Sequence, residues 1–353
     1  MMAMGSVLES ALWEASRPPY RVRYIHDPGA QPGVPLYASY GVANPKTARA
    51  KLARIVRGAP EVVVKVTGRQ RGGSHVKAHL DYIGRKGAVD IETRDGEILT
   101  SKDDIAERAA EWSDTLEWRS RPTVSSVSLI FSMPEGTDPH KVLGAVRALA
   151  HAELSDNHDY LLALHTDTPR PHVHLTVQAE GLDRNRFNPR PVQLYRFRER
   201  FARELRERGV AAEATPRRAR GRGVAGSSMR LVKLRARLAS GASGVMTNAD
   251  RRTNEQAIAV ARGQANLPSF IAKGKTRWQA IRQAYRQAAA ALDASGQPDD
   301  RALARDVRRF LDKQSDVHAT PEIFAARHAQ ALSGARAKHD PPVPMPPPQD
   351  RGR

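Results

Sequence analysis

The alternation of apolar and polar positions is weak before residue 58. The breakers PP, DPGAQPG and ANP surround one basic segment, Lys46 to Arg57, that can form a helix within a loosely ordered extension. Glu61-Val-Val-Val-Lys-Val-Thr67 then predicts a strand, closed by the basic glycine-rich turn Gly68-Arg-Gln-Arg-Gly-Gly73, with Ser74 placed to cap the next helix. In that helix, His75 to Arg85, Val76, Leu80 and Ile83 make one stripe while His75, His79 and Tyr82 make another. Ala88 to Thr100 alternates around Arg-Asp-Gly and predicts a hairpin with a type I′ turn. Lys102 to Trp118 predicts a helix and Val124 to Phe131 a strand. A helix from about His140 to Leu154 carries Val142, Val146 and Leu149 on one face. Tyr160 to His165 and His172 to Val177 are two short strands about the turn Thr168-Pro-Arg-Pro171. Gln193 to Arg208 is a basic amphipathic helix whose stripe is Leu194, Phe197, Phe201 and Leu205. Helices interleaved with hairpin-joined strands predict an α+β fold with a central, mainly antiparallel sheet flanked by helices.

The pattern changes near residue 215. Arg217 to Arg237 holds eight Lys or Arg and no acidic residue, interspersed with glycine and serine, which reads as a flexible cationic hinge: either a solvated linker or a grip on backbone phosphate. Apolar positions resume at helical spacing in Trp278, Ile281, Tyr285, Ala288 and Leu292, and again in Leu303, Val307 and Phe310. The tail DPPVPMPPPQDRGR is too rich in proline to pack. The expected division is therefore an extension over 1–58, a folded domain over 59–222, a basic hinge over 223–251, a small all-α module over 252–335 and a proline-rich tail over 336–353.

Charge narrows the partner. With 57 Lys+Arg against 38 Asp+Glu the 353-residue chain carries +19, which favours a polyanion: nucleic acid first, an anionic membrane surface second. There is no cysteine, so disulfides and thiolate metal sites are excluded. The first residues show no basic-then-apolar signal pattern and no stretch suits a membrane span, so a cytoplasmic protein is expected.

The densest chemistry lies in His165-Thr-Asp-Thr-Pro-Arg-Pro-His-Val-His174, with three of the chain's twelve histidines and a carboxylate, Asp167. Side chains alternate along a strand, so His172 and His174 share a face with Cα atoms about 7 Å apart while Val173 points away. Paired in a hairpin, His165 lies beside them and supplies a third nitrogen, leaving positions open for substrate, as in catalytic rather than structural metal sites. An isolated His-x-His is more often an ordinary polar strand face. The third histidine at hairpin distance, with Asp167 beside it, tips the balance toward a metal site. Tyr82, at the end of its helix, precedes Gly84-Arg85-Lys86-Gly87, where two cations could hold a phosphate beside a phenol; most tyrosines on short helices serve only in packing.

YLLALHTDTPRPHVHLTVQ resembles the third motif of conjugative and mobilisation relaxases, the histidine-hydrophobic-histidine (HUH) single-strand nucleases, in the group that includes the T-DNA border nuclease. AHLDYIGRKG resembles that group's first motif, and SLIFSMPEGTDPHKVLGAV and FARELRERGVAAEATPRRARG resemble its middle segment and domain end. The resemblance spans roughly residues 60 to 222. It implies a sheet with both His strands at its middle, Tyr82 as nucleophile, His165, His172 and His174 as ligands of a divalent ion (Mg²⁺ or Mn²⁺), and single-stranded DNA at a transfer origin as substrate. It also implies a 5′-phosphotyrosine with a free 3′-OH. Arg85, Lys86, Arg170, Arg217, Arg218, Arg220 and Arg222 are the expected DNA contacts, and Asp167 either assists deprotonation or fixes a histidine tautomer, the second being favoured. Accessory DNA-binding or secretion-system proteins are the expected partners of the C-terminal module. Two positions depart from the group's pattern: Arg170 replaces a histidine and Gln178 an asparagine. Rolling-circle and transposition nucleases usually place the tyrosine after the His pair, the reverse of the order here. A non-catalytic DNA-binding accessory protein would explain the charge but not three clustered histidines, and a small-molecule metallohydrolase fits the basic composition poorly.

Overall fold

The computed structural model describes residues 7–12, 45–114, 123–215, 217–220, 247–261 and 269–314, with isolated positions at 234, 237 and 266. Six strands form one sheet in the order β1-β4-β6-β5-β2-β3: β1 Val63–Arg71, β2 Ile91–Thr93, β3 Ile98–Leu99, β4 Val124–Ser132, β5 Tyr160–His165 and β6 His172–Gln178. Every strand pair is antiparallel, so the expected α+β architecture holds, and the two histidine strands occupy the centre.

Strand alternation sorts the sheet into two faces. Val173, Leu175 and Val177 of β6 and Val127, Leu129 and Phe131 of β4 point into the main core. There they meet Val142, Val146 and Leu149 of α4 (Pro139–Leu154) and Phe197, Phe201 and Leu205 of α5 (Pro191–Glu207). These are the apolar stripes expected from the sequence. Asp138 caps α4, its carboxylate accepting from the His140 and Lys141 amides, and Pro139 occupies the first turn, where its missing N–H costs nothing. On the other face α2 (Gly73–Ile83) and α3 (Lys102–Asp114) bury Val76, Leu80, Ile83, Ile105 and Trp112 against Ile91, Leu161 and Ala163.

Several local expectations are corrected. The segment after Thr67 is strand rather than turn: β1 continues to Arg71 past a bulge at Gly68, because β4 offers ladder partners as far as Val124 and the Gln70 side chain accepts hydrogen bonds from Ser126 and Ser128. Ser74 does not cap α2, whose N-cap position is Gly72, with no side-chain bond. The Arg94-Asp95-Gly96 turn is not type I′. Only Gly96 has positive φ (87°), Gly96 N–H reaches Thr93 O at 3.1 Å and Thr93 N–H reaches Glu97 O at 2.8 Å: a type I turn followed by a glycine bulge. The end of the helix expected to reach Trp118 lies outside the described residues.

Two compact units emerge, 1–216 with 287–310, and 217–286 with 311–353. These boundaries differ from the expected ones at both ends. In the first unit α1 (Pro45–Val56) buries Ala48, Leu52 and Ile55, and its Lys51 and Arg54 reach the fully buried Glu213 at 3.9 and 2.7 Å. α8 (Pro298–Asp312) belongs largely to this unit as well: Asp300 accepts two bonds from Arg49, at 2.8 and 3.0 Å, and Asp306 pairs with Arg57 at 2.9 Å. The second unit holds the short 3₁₀ helix Arg217–Arg220, α6 (Asn248–Ala261) and α7 (Ser269–Ala294) as far as Arg286. Within it Tyr285 donates to Ala219 O at 2.7 Å and Gln314 to Arg220 O at 2.9 Å.

Candidate metal centre and nucleophile

β5 and β6 pair with His165 directly opposite His172 and Ala163 opposite His174. All three imidazoles therefore leave the sheet on one face, at the end nearest the Thr166–Pro171 turn. Each offers a nitrogen within 4.8 Å of the others, and ring centroids are 4.5 to 5.3 Å apart. Among the described residues this is the one cluster of histidine and carboxylate groups so spaced.

Backbone carbonyls set the orientation of two rings. His165 Nε2 lies 2.6 Å from Ile83 O; a carbonyl only accepts, so Nε2 carries the proton and Nδ1 keeps its lone pair. His172 Nδ1 lies 3.0 Å from Arg170 O, which by the same reasoning leaves Nε2 free to bind. His174 is buried, and its Nδ1 has no hydrogen-bond partner. An orphaned buried nitrogen is costly unless something else satisfies the ring. Burial first, and then the neighbouring His165, His172, His79 and Arg85, push the His174 pKa down to about 3. Burial likewise lowers His165, with Arg85 and His172 adding to the effect and the Ile83 carbonyl and Asp167 opposing it. Lone pairs that stay unprotonated near neutrality, beside an unsatisfied ring nitrogen, are what a divalent cation requires, so the residues fit a metal ion.

Tyr82 stands at the last turn of α2 and is 58% exposed. Its ring meets His174 edge-on at 6.2 Å and stacks on His79 at 6.5 Å. His79 is anchored to the sheet: its Nε2 lies 2.7 Å from Ser128 Oγ and 3.1 Å from Thr176 Oγ1, and burial lowers its pKa to about 4. Ser126, Ser128 and Thr176 are fully buried, a polar strip on the sheet face beside α2. Sequence reading named His79 but missed what holds it, although the alternating Ser126 and Ser128 in a strand-forming run was the available signal.

α2 ends in a Schellman motif, Lys86 N–H to Asp81 O at 2.9 Å and Arg85 N–H to Tyr82 O at 3.3 Å. Gly84 is packed against Ile91 and the Leu80 carbonyl, and the left-handed position falls to Arg85 (φ 50°), followed by Lys86 (φ 58°) and Gly87 (φ 96°). Arg85 thereby enters the site. Its Nη2 lies 2.5 Å from Asp167 Oδ2 and 3.2 Å from His165 Nδ1, and its Cζ lies 5.2 Å from the Tyr82 ring centroid. Asp167 accordingly makes no bond to a histidine, contrary to the tautomer-fixing role favoured for it; the carbonyls of Ile83 and Arg170 do that work, and Asp167 meets the cluster through Arg85.

The remaining expected DNA contacts divide. Lys86 and the Arg170 side chain are exposed near the site. Arg220 is only 7% exposed, which removes it from the cationic surface. Arg217 and Arg218 share its 3₁₀ helix, and Arg222 lies outside the described residues.

Residues 82–210 match the family model described as relaxase, MobA/VirD2-like, nuclease domain. The match begins at Tyr82 and takes in all three histidines. Comparison with curated proteins and with solved structures returns no match.

Proposed function

Since residues 82–210 are a DNA-nicking nuclease domain of the MobA/VirD2-like relaxase family, we propose that this protein nicks one strand at a transfer origin through a reversible 5′-phosphotyrosine on Tyr82, in conjugation or mobilisation. The observation that carries this reading is the pairing of an exposed phenol with a cluster of three histidines, the Tyr82 ring 6.2 Å from His174.

His165 through Nδ1, His172 through Nε2, and His174 are the residues that would hold the ion, with Mg²⁺ or Mn²⁺ favoured by phosphate chemistry. Bound there, a divalent ion supplies charge neutralisation at the non-bridging oxygens of the scissile phosphate. Tyr82 attacks phosphorus in line: the Oη–P bond forms, the bond from phosphorus to the 3′ oxygen breaks, and the departing strand takes up a proton as its free 3′-OH. The phosphotyrosine conserves the bond energy, so the 3′-OH can reverse the step. A phenol is protonated at neutral pH, so a base must take its proton; His79, neutral and three residues earlier on α2, and Asp167 are the candidates. The left-handed Arg85-Lys86 segment, with Arg170, offers cations for the backbone on either side of the scissile phosphate. In this reading the cationic run beginning at Arg217 adds non-specific grip, and the helical second unit docks accessory or secretion-system proteins. No helix among the described residues is long and apolar enough to cross a membrane.

The test is covalent trapping on a single-stranded oligonucleotide carrying a candidate transfer-origin sequence, with and without EDTA. Wild type should form a protein–DNA adduct only with metal. Tyr82→Phe should form none while binding the oligonucleotide within a few fold of wild type. A full-yield adduct on the Phe variant would move the nucleophile elsewhere.

A further inference from the structure

Arg85 occupies an unusual place. The first residue beyond a Schellman-capped helix is ordinarily glycine, because the left-handed conformation brings Cβ against the following carbonyl at a cost of about 1 kcal/mol. Here glycine stands one residue earlier, at Gly84, and the left-handed position carries the longest cationic side chain available. That backbone geometry aims the guanidinium between three groups at once: Asp167 at 2.5 Å, His165 Nδ1 at 3.2 Å and the face of the Tyr82 ring at 5.2 Å.

The contact with His165 limits what else that ring can do. Its Nε2 proton is committed to Ile83 O, so Nδ1 holds its one lone pair in the ring plane. A guanidinium has only N–H donors, and a lone pair that accepts from one cannot at the same time bind a metal. Two cations would also stand within a few ångströms of each other with a single carboxylate, Asp167, between them. We propose that Arg85 is a placeholder in the metal centre: it competes with the divalent ion for Nδ1 of His165, and binding of the ion displaces it. The inference rests on the reading of the three histidines as metal ligands. Asp167 then acts as a tether, keeping the displaced guanidinium beside Tyr82 rather than releasing it to solvent. Arrival of the ion thus changes the charge next to the nucleophile, which makes Arg85 a positioning residue that couples the two halves of the site.

A competitor that holds the lone pair nine-tenths of the time weakens the apparent affinity for the ion about tenfold, since only the open fraction binds. The experiment is Mn²⁺ titration of the full chain without DNA, by calorimetry and by the electron paramagnetic resonance of free Mn²⁺. It compares wild type with Arg85→Gly, Arg85→Gln and His172→Ala. Arg85→Gly suits the left-handed backbone and should melt no lower than wild type, so a folding defect does not obscure the result. Arg85→Gln keeps a donor without the charge. Tighter Mn²⁺ binding, about tenfold in Arg85→Gly and less in Arg85→Gln, with binding lost in His172→Ala, supports the placeholder. Unchanged or weaker binding in Arg85→Gly, with His172→Ala still losing it, overturns the placeholder and leaves the metal centre standing. Equal binding in wild type and His172→Ala overturns the metal reading, and the placeholder falls with it.

Discussion

Gly84→Ala isolates the contribution of the α2 terminus. At Gly84 φ is −78° and ψ 1°, so the backbone accepts alanine and any effect is steric. A Cβ there would stand 3.0 Å from Ile91 Cδ1 and 3.2 Å from Leu80 O. The carbonyl belongs to the helix itself and already accepts from the Gly84 amide at 2.8 Å, while Ile91 is held in β2 opposite Ala163 and Leu99. Neither neighbour can retreat freely, so the helix end must shift by a few tenths of an ångström. Overpacking of this kind costs about 1–3 kcal/mol, offset by about 0.4–1 kcal/mol because alanine restricts the unfolded chain more than glycine does. The net expectation is a loss of about 1–2 kcal/mol. The catalytic loss should be larger, since Tyr82, the Ile83 carbonyl that orients His165, and Arg85 all ride on that terminus. If a misplacement of 1 Å costs about a hundredfold, a few tenths costs several-fold to about tenfold. Single-turnover adduct formation at saturating oligonucleotide reads the rate, fluorescence anisotropy reads binding, and thermal melting reads stability. Gly84→Ala forming adduct at the wild-type rate with an unchanged melting temperature would refute the idea that the tight fit at Gly84 positions Tyr82.

Other predictions address separate parts of the molecule. His174→Ala should lose metal binding and cleavage together, seen by calorimetry alongside adduct assays; retained metal affinity would return the His-x-His to an ordinary strand face. His79, with its pKa depressed from 6.5 to about 4, contributes stability present above pH 6.5 and lost as pH falls toward 4, so His79→Gln should flatten the decline of melting temperature across that window. A chain ending near residue 222 loses the partners of Arg49 and Arg57, Asp300 and Asp306, and should melt below a chain ending at 314; equal stability would show that α8 is dispensable to the nuclease unit. Glu213→Gln should destabilise by about 3–5 kcal/mol in denaturant titration, because Arg54 loses its buried counter-charge at 2.7 Å, while Lys51 keeps Glu199 at 2.6 Å.

The site was more legible than its surroundings, and the reason is range. His165, His172 and His174 are brought together by one hairpin of adjacent strands, so period-two alternation and a turn signal suffice to place them. The α4 and α5 stripes are equally local. Long-range partners left little trace: Lys51 and Arg54 look like surface cations until Glu213 folds beneath them, and nothing around Asp300 announces Arg49. Arg69 to Arg71 read as a turn because glycine and charge dominate locally, whereas pairing with β4 decides the outcome. Arg220 looked solvated within a run of cations and is buried. Asp167 sat near enough to the histidines to suggest a direct bond, but the left-handed residue after α2 delivers an arginine to it, which spacing alone does not reveal.

The pairing of His165 with His172 also bears on quality control. Because successive side chains in β6 face opposite ways, a slip of one residue against β5 and β4 would turn His172 and His174 into the apolar core and bring Val173, Leu175 and Val177 out to the face beside Tyr82. No partly correct pairing yields a weakened version of the centre. A mispaired chain therefore presents no histidine cluster at all beside Tyr82, rather than a distorted one.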